Sequence, residues 1–308
     1  MIQKLAPGPL LRPMRHDEGM ILDPAAPPAL TVLTQNIRYD RRDSISGEND
    51  HWPDRAPVLR DLIERVRPDV LGTQEVLPSQ IPLLEETLGR SHRMFGMGRE
   101  GGGRGEHNLL FLRRERFTVQ DWDQIWLSDQ PRLIGSRAWG ADLPRIAVWV
   151  RVHDEVTGHD LVLAVTHLDH SATEARARGA ALLAAELTAA ARTDAGAFAA
   201  DGSHVDGPDA LALPIVLMGD FNAAGGDSEP WTVLIEAGLE DAHDTAAERI
   251  GPDIGTFPDY EPGQEGAERI DWVMTRGMQV QTYAAHDHEI AGHHASDHAG
   301  VQVRLHCS

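Results

Sequence analysis

The stretch that decides the fold is LPIVLMGDFNAAGGDSEP, residues 213–230. Four consecutive apolar residues at 215–218 are typical of a strand in the core of a sheet. The apolar run breaks at Gly219, and Asp220 and Asn222 follow before two further glycines. Since chemistry usually sits on strand ends and loops held by a rigid scaffold, this stretch predicts a strand that carries functional groups to the edge of a sheet.

The rest of the chain predicts further strands and helices around this one. Apolar runs and periodicity predict strands at 30–36, 70–76, 107–112, 145–152, 160–167, 214–219, 270–275, 279–284 and 300–305, and helices at 57–66, 80–88, 172–192 and 228–237. Strands and helices mingle without strict alternation, and no linker divides them. The sequence therefore predicts an α/β or α+β fold with mixed or antiparallel sheets packed face to face. Residues 1–29 are expected to form an irregular N-terminal arm, and 30–308 a single catalytic domain. The segment 193–212 is expected to be a surface loop.

Composition narrows the class of substrate. The 308 residues hold 28 Lys and Arg against 48 Asp and Glu, which gives a formal charge of -20. Because such a surface repels polyphosphate backbones, non-specific binding of nucleic acid is disfavoured, and a small anionic substrate requires a metal ion or a local arginine to offset the field. Cys307 is the only cysteine, so the chain has no disulfide framework within it. We see no signal-peptide pattern and no membrane-spanning stretch, and expect a cytoplasmic protein. The oligomeric state is left open.

Polar residues stand at the edges of six apolar runs. They are Asn36, Glu75, His167 with Asp169, Asp220 with Asn222, Asp271, and Asp297 with His298. Any one of them could be an ordinary turn or cap residue. Six such breaks are difficult to attribute to turns alone, and in packed sheets these strand ends can meet at one rim.

The residue types indicate a metal site for a hard cation. Glu75 and Asp297 offer carboxylate oxygens, and Asn36 can add a neutral oxygen. Mg²⁺ prefers such ligands in octahedral geometry. A structural zinc site would need thiolates or clustered histidines, which the single cysteine makes improbable.

The remaining polar residues supply the parts for phosphoester hydrolysis. Asp220 could orient an attacking water or accept its proton. Asn222 could donate a hydrogen bond to that water or to a phosphoryl oxygen. His167 and His298 could stabilise charged oxygens in the transition state, and Asp271 could orient one of them and keep it protonated.

The ordered set of motifs resembles the endonuclease/exonuclease/phosphatase superfamily over residues 30–305. The matching motifs are LTQNIRYD, GTQEV, THLDH, GDFNA, RIDWV and SDHAGV, in the family's order. The resemblance implies a four-layered α/β sandwich, with two mixed sheets face to face and helices outside. It also implies dependence on Mg²⁺ or Mn²⁺ and hydrolysis of a phosphodiester or phosphomonoester.

The resemblance also implies residue roles. The metal ligands would be Asn36, Glu75 and Asp297, and the catalytic residues His167, Asp220, Asn222, Asp271 and His298. Within that set Glu75 is the main ligand, Asp220 handles the water, and Asp271 orients His298 against the scissile phosphate. The TH of THLDH is similar to the branch that contains nocturnin and deadenylases, whereas the apurinic-endonuclease branch typically has a tyrosine in that region.

Five further residues are predicted to bind substrate: Arg38, His107, Asn108, Arg145 and Asp169. Arg38 would share a strand face with Asn36 if the strand continued. His107 and Asn108 follow the glycine run GGGRGE, which could form a substrate loop. Arg145 is a candidate phosphate contact or a solvated strand end. The histidines of segment 286–294 are expected to lie on a solvated surface.

Three functions remain open at this point. The first is a Mg²⁺-dependent phosphoesterase acting on a sugar phosphate, nucleotide or lipid head group. The second is a nuclease, such as a 3′-exonuclease of deadenylase type, which would need a basic groove with aromatic platforms. The third is a catalytically silent binding protein.

Overall fold

The computed structural model describes residues 21–192 and 212–307. Most of the predicted arm and of the predicted loop 193–212 therefore lie outside the described residues. The strands are β1 Leu30–Asn36, β2 Val70–Val76, β3 His92–Phe95, β4 His107–Arg113, β5 Phe117–Trp126, β6 Ile146–Asp154, β7 His159–His167, β8 Ile215–Asp220, β9 Glu240–Asp241, β10 Glu248–Arg249, β11 Asp271–Arg276, β12 Met278–His286, β13 Glu289–Ile290, β14 His293–His294 and β15 Gly300–Cys307. The helices are α1 Trp52–Val66, α2 Ile81–Leu88, α3 Thr173–Ala190, α4 Glu229–Glu236 and α5 Ala242–Thr245, with a 3₁₀ turn at Gly89–Ser91.

Two large mixed sheets form the centre of the fold. The first has the strand order β10-β12-β15-β1-β2-β4-β3, and the second β5-β6-β7-β8-β11-β9. The first sheet has a parallel pair at its edge, β10 with β12, and each sheet has a parallel pair at its middle, β1 with β2 and β7 with β8. Antiparallel neighbours flank the middle pairs, β15 beside β1 and β11 beside β8.

The two sheets pack face to face because the alternate residues of each strand give each sheet an apolar surface on both of its faces. Val32 and Leu110 of the first sheet belong to the same buried cluster as Val150, Leu163 and Met218 of the second. The opposite face of the first sheet packs against α1 and α2, and that of the second against α3 and α4. Burial of both faces explains why the central strands read as continuous apolar runs. The predicted four-layered sandwich is confirmed.

The sequence misplaced the start of one helix and missed several strands, of which β5 is the longest. Helix α1 begins at Trp52, five residues before the predicted start, because Pro53 occupies its first turn and Pro57 is tolerated inside the helix. Strand β5 was not predicted at all. It lies at the edge of its sheet, and most residues of its first half are exposed or half-buried, so its sequence lacks an apolar run.

Across residues 21–192 and 212–307, helices are too short or too polar to span a membrane.

Candidate active site

The polar strand ends converge at one edge of the two sheets. In the second sheet, Asp220 at the end of β8 is in register with His167 at the end of β7 and with Asp271 at the start of β11. In the first sheet, Asn36 ends β1 beside β2. Parallel strands bring their carboxyl ends to the same edge, which is where ligands bind in open α/β sheets.

Asn36 joins the two sheets at the centre of the site. Its Nδ2 donates to Glu75 Oε1 at 3.1 Å and to Asp220 Oδ2 at 3.0 Å, and lies 3.4 Å from His298 Nε2. With the amide in this orientation, Asn36 Oδ1 accepts a hydrogen bond from the backbone N–H of Arg38 at 2.9 Å. Asn36 therefore acts as a fixed donor here, and its role as a metal ligand stays a prediction.

Glu75 has a strained backbone. Its φ is +62°, and the register of β2 against β4 shifts between Thr73 and Val76. A non-glycine residue in this region costs about 1–3 kcal/mol, and such strain clusters at functional sites. The bulge re-aims the Glu75 side chain, whose Oε2 accepts the Tyr39 N–H at 3.2 Å.

The loop that follows β1 is held in place by a buried arginine of α1. Arg55 of α1 is 1% exposed, and its guanidinium donates to the carbonyl oxygens of Ile37, Arg38 and Tyr39. These bonds satisfy a buried charge that would otherwise be costly. They also fix the chain just after Asn36.

The GDFN segment forms a local turn that points two side chains into the site. The backbone N–H of Asn222 donates to Asp220 Oδ1 at 2.9 Å, and Asn222 itself has a φ of +49°. Asn222 Nδ2 lies 2.9 Å from His167 Nε2 and donates to the Leu168 carbonyl at 3.1 Å. Asp220 and Asn222 can therefore be turn residues and functional residues at the same time.

A glycine is required at position 219, the residue of β8 that precedes Asp220. Its φ is +149°, and a Cβ at this position would lie 2.0 Å from the carbonyl oxygen of Thr166. We expect Gly219→Ala to lower the free energy of unfolding by about 1–3 kcal/mol, since the backbone must shift. Urea unfolding should show this loss, while Gly103→Ala, where a Cβ meets nothing within 4 Å, should change stability little. Equal stability of the two variants would contradict the requirement.

His298 is held charged by a carboxylate. Its Nδ1 lies 2.9 Å from Asp271 Oδ2, and its Nε2 lies 3.8 Å from Asp220 Oδ2. Burial pulls the pKa of His298 down, but the charge and hydrogen bond of Asp271 outweigh it and raise the pKa to about 10. The imidazolium therefore presents a positive Nε2 to the pocket.

The pKa values of the neighbouring Asp220 and His167 are also shifted, in opposite directions. Burial, and then the charge of Asp271, raise the pKa of Asp220. Burial, and then the charge of Arg145, lower the pKa of His167 well below its ordinary value. His167 is thus a neutral imidazole, in contrast to His298.

The carboxylates could hold a hard divalent cation. Ligand atoms of Glu75, His167 and Asp220 all lie within 4.8 Å of one another. Asp297 is 3% exposed, lines the same cavity as Glu75, and has Oδ2 at 3.5 Å from Arg38 Nε. A donor set dominated by carboxylate oxygens fits Mg²⁺ or Mn²⁺.

Arg38 reaches the site by a different route from the predicted one. β1 ends at Asn36, and Arg38 has a φ of +53°, so the strand-face argument was wrong. The side chain still lines the cavity, where its Nε donates to Asp50 Oδ1 at 3.0 Å.

Of the other predicted substrate residues, Arg145 lines the cavity and Asp169 supports it. Arg145 Nε lies 3.4 Å from Asp169 Oδ2, and its Nη2 lies 2.7 Å from His170 Nδ1. Asp169 Oδ1 accepts the backbone N–H groups of Ser171 and Ala172 just before α3. Asp169 thus positions Arg145 and the start of the helix.

His107 and Asn108 face the protein interior. His107 Nδ1 bonds the Val76 carbonyl and Asn108 Nδ2 the Ile146 carbonyl, each at 2.9 Å. Neither residue lines the main cavity, but Asn108 lines a small niche beside it. They stand in β4, where hydrogen bonds to neighbouring backbone carbonyls satisfy their buried polar atoms.

The predicted solvated histidine segment is partly buried. His286 and His288 are 0% and 2% exposed, and His288 Nε2 lies 3.0 Å from Asp61 Oδ2 on α1. The prediction was wrong for these two residues, because His286 ends β12 beside β15 and His288 contacts α1. It is correct for His293, which is exposed.

The site opens into a cavity of about 330 Å³. Its lining residues are Arg38, Tyr39, Glu75, Arg99, Glu106, Leu143, Arg145, His167, His170, Asp220, Asn222, Phe257, Asp297 and His298. Sequence reasoning missed six of them: Tyr39, Arg99, Glu106, Leu143, His170 and Phe257. Two could have been noticed, because Arg99 and Glu106 flank the glycine run in the sequence.

Comparisons with known proteins concern the family and the fold of the chain. The model of the Endonuclease/Exonuclease/phosphatase family matches residues 33–298. No curated protein gives a significant match. An endonuclease/exonuclease/phosphatase from Bacteroides vulgatus is 27% identical with a TM-score of 0.77, covering 91% of this chain and 99% of its own.

Two further solved structures are informative. A mannosyl-6-phosphatase from Bacteroides thetaiotaomicron is 27% identical with a TM-score of 0.76, covering 90% of this chain and 99% of its own. The human nocturnin catalytic domain is 16% identical with a TM-score of 0.64, covering 91% of this chain and 95% of its own. The second likeness is one of fold alone.

Proposed function

The chain belongs to the endonuclease/exonuclease/phosphatase family and is thereby a phosphoester hydrolase, and we propose that it is a Mg²⁺- or Mn²⁺-dependent one acting on a small phosphorylated substrate. One observation carries the proposal. The buried Asp220 carboxylate is fixed by Asn36 and stands between His167 and His298, at 3.4 Å and 3.8 Å respectively, in a cavity of about 330 Å³.

Glu75 and Asp297 would hold the metal, with Asn36 as the third predicted ligand. When bound there, the cation supplies Lewis-acid stabilisation of charge on the phosphoryl oxygens. Asn36 Nδ2 keeps the Glu75 and Asp220 carboxylates side by side. Without that donor, two neighbouring carboxylates would repel each other.

Asp220 orients the attacking water and accepts its proton. A base acts best when its pKa lies near the working pH, and burial moves Asp220 in that direction. The water then attacks the phosphorus in line with the leaving oxygen. Geometry fixed before the reaction lowers the entropic part of the barrier.

The phosphoryl oxygens are stabilised by three side chains. His298 carries a positive charge held by Asp271, which suits charge that develops in the transition state. Asn222 Nδ2 would exchange its 2.9 Å contact with His167 Nε2 for a phosphoryl oxygen, and the neutral His167 ring lines the same cavity. Arg145 adds a cation at the cavity wall.

The cavity and the charge favour a small substrate. A net charge of -20 opposes the binding of polyanionic nucleic acid. The 27% identical mannosyl-6-phosphatase supports a sugar phosphate in particular. Phe257, half exposed with its ring centroid 4.9 Å from that of His298, could pack against the substrate at the cavity.

A panel of substrates tests the function. Purified protein with Mg²⁺ or Mn²⁺ would be given hexose 6-phosphates, nucleoside monophosphates, bis-p-nitrophenyl phosphate and single-stranded RNA. We expect the highest kcat/KM on a small phosphorylated compound. Preferred cleavage of RNA would instead support the 3′-exonuclease alternative, and no cleavage of any phosphoester would overturn the proposal.

Removal of the metal should abolish activity. We expect EDTA to stop hydrolysis and added Mg²⁺ or Mn²⁺ to restore it. Glu75→Gln should raise the half-saturating metal concentration at least about 10-fold, because it removes a charged ligand. Metal titrations of activity and of thermal stability would both report this shift.

The matched control is Glu85→Gln on the exposed side of α2. It should leave both titrations unchanged. Full activity in EDTA, or identical titrations for the two variants, would rule out Glu75 as a ligand.

A further inference from the structure

A tight hairpin brings Arg99 and Glu106 together at the cavity wall. Gly98 pairs with His107, and the Arg99 N–H donates to the Glu106 carbonyl at 2.9 Å. Their side chains then meet in a two-pronged ion pair: Arg99 Nη1 and Nη2 donate to the two Glu106 carboxylate oxygens at 2.9 and 2.8 Å. The glycine run between them makes the sharp turn that this pairing requires.

The pair is largely buried although it faces a cavity. The side chains of Arg99 and Glu106 are 11% and 19% exposed. The indole of Trp126 anchors the hairpin by donating to the Arg99 carbonyl at 2.7 Å. Among the residues that the structure describes, Arg99 Nε has no hydrogen-bond partner. A buried ion pair adds little to stability, so its position in the wall calls for another explanation.

A niche beside the pair has the size of a single hydroxyl group or water. It measures about 10 Å³ and shares four lining residues with the main cavity: Arg99, Glu106, Arg145 and His167. This volume is close to the smallest that accommodates a water molecule. A hydroxyl group of a substrate in the main cavity could enter it.

The charges of the Arg99–Glu106 pair disfavour the phosphate group of a substrate and suit its hydroxyl groups. A phosphate would be repelled by Glu106, and the charge of Arg99 is already compensated by that carboxylate. A carboxylate accepts hydrogen bonds and a guanidinium donates them. Together they suit a hydroxyl group, which does both.

We propose that the Arg99–Glu106 pair is the leaving-group subsite, which binds hydroxyl groups of a polyol such as a hexose phosphate. This inference rests on the proposed function, since it places the phosphate at His298 and Asn222 and the sugar at the hairpin. It assigns substrate selectivity to two residues that take no part in water activation.

The test removes the pair as a unit. In Arg99→Leu/Glu106→Leu neither charge is left buried without its partner, so the fold should be retained. The measured quantity is kcat/KM for mannose 6-phosphate and glucose 6-phosphate divided by that for p-nitrophenyl phosphate, whose leaving group has no such hydroxyls. We expect this ratio to fall by about 10- to 100-fold, because hydrogen bonds to charged groups are lost.

The control is Arg60→Leu/Glu86→Leu, an Arg–Glu pair at 3.2 Å on the exposed surface between α1 and α2. For this control variant, the ratio of kcat/KM on the hexose phosphates to kcat/KM on p-nitrophenyl phosphate should equal that of the wild type. An unchanged ratio in the Arg99/Glu106 variant would overturn the inference, and so would a wild-type enzyme that cleaves p-nitrophenyl phosphate but no hexose phosphate. In that last case the proposed function would stand.

A binding measurement separates the two failures completely. Calorimetric titration with mannose 6-phosphate needs no turnover. If the wild type cleaves no phosphoester, the proposed function falls, yet binding at least 10-fold weaker in the Arg99/Glu106 variant would still support the subsite. Equal binding by both proteins would overturn it.

Discussion

Asp220→Asn is expected to lower kcat on a small phosphoester by about 10²- to 10⁴-fold. The substitution keeps the volume of the side chain and replaces the carboxylate with an amide that cannot accept a proton. Asp220 Oδ2 receives the Asn36 amide at 3.0 Å and lies within 4 Å of both site histidines. Among the described residues, Asp220 belongs to two clusters of possible metal-binding groups, one with Glu75 and His167 and one with Asp271 and His298.

The loss should appear in kcat more than in KM, since activation of water acts in the transition state. The matched control is Asp160→Asn. Asp160 also pairs with a histidine, His153, at 2.7 Å, but lies at the surface. Steady-state kinetics with circular dichroism would show a folded, inactive Asp220 variant beside an active Asp160 variant. A kcat within a few-fold of wild type for Asp220→Asn would refute its role as base.

His298→Gln should lower kcat by about 10²- to 10³-fold, the usual effect of removing one transition-state donor. The glutamine retains a side-chain amide but not the charge that Asp271 sustains at 2.9 Å. Gln is preferable to Ala here, because an empty position would leave the buried Asp271 carboxylate without its partner.

Asp271→Asn should also lower kcat, but by less than His298→Gln, because Asp271 acts through His298. The control for both is His153→Ala, which removes a surface histidine bonded to Asp160. We expect the order of kcat to be wild type and His153→Ala together, then Asp271→Asn, then His298→Gln. Wild-type kcat in the last variant would exclude His298 as a phosphate-side cation.

The strand ends were predictable because they follow from local patterning. An apolar run that stops at a carboxylate or amide marks a buried strand reaching an edge, whatever its partners are. That rule, with the ordered motifs, was enough to select Asn36, Glu75, Asp220 and His298. Local patterning also predicted sheets packed face to face, since strands that are apolar on both faces must be covered on both, whereas the four layers were implied by the family resemblance.

Local patterning did not predict the surroundings of a side chain whose neighbours in the structure are distant in sequence. His107 and Asn108 were expected to bind substrate beside a glycine-rich loop, yet their side chains bond the carbonyls of Val76 and Ile146, and of the two only Asn108 lines the small niche next to the cavity. Arg38 was expected on a continued strand, but the chain bends after Asn36, held by Arg55 of α1.

The sequence by itself determined which residue types stand at the strand ends, and hence the chemistry available to this protein. Only the tertiary structure decided their spacing, such as the 3.0 Å contact between Asn36 and Asp220, which are 184 residues apart. It also decided that Arg99 and Glu106 form one wall of the cavity. The physical reason is that contacts between sheets depend on strand order, register and backbone bends such as that at Glu75, none of which a local pattern encodes.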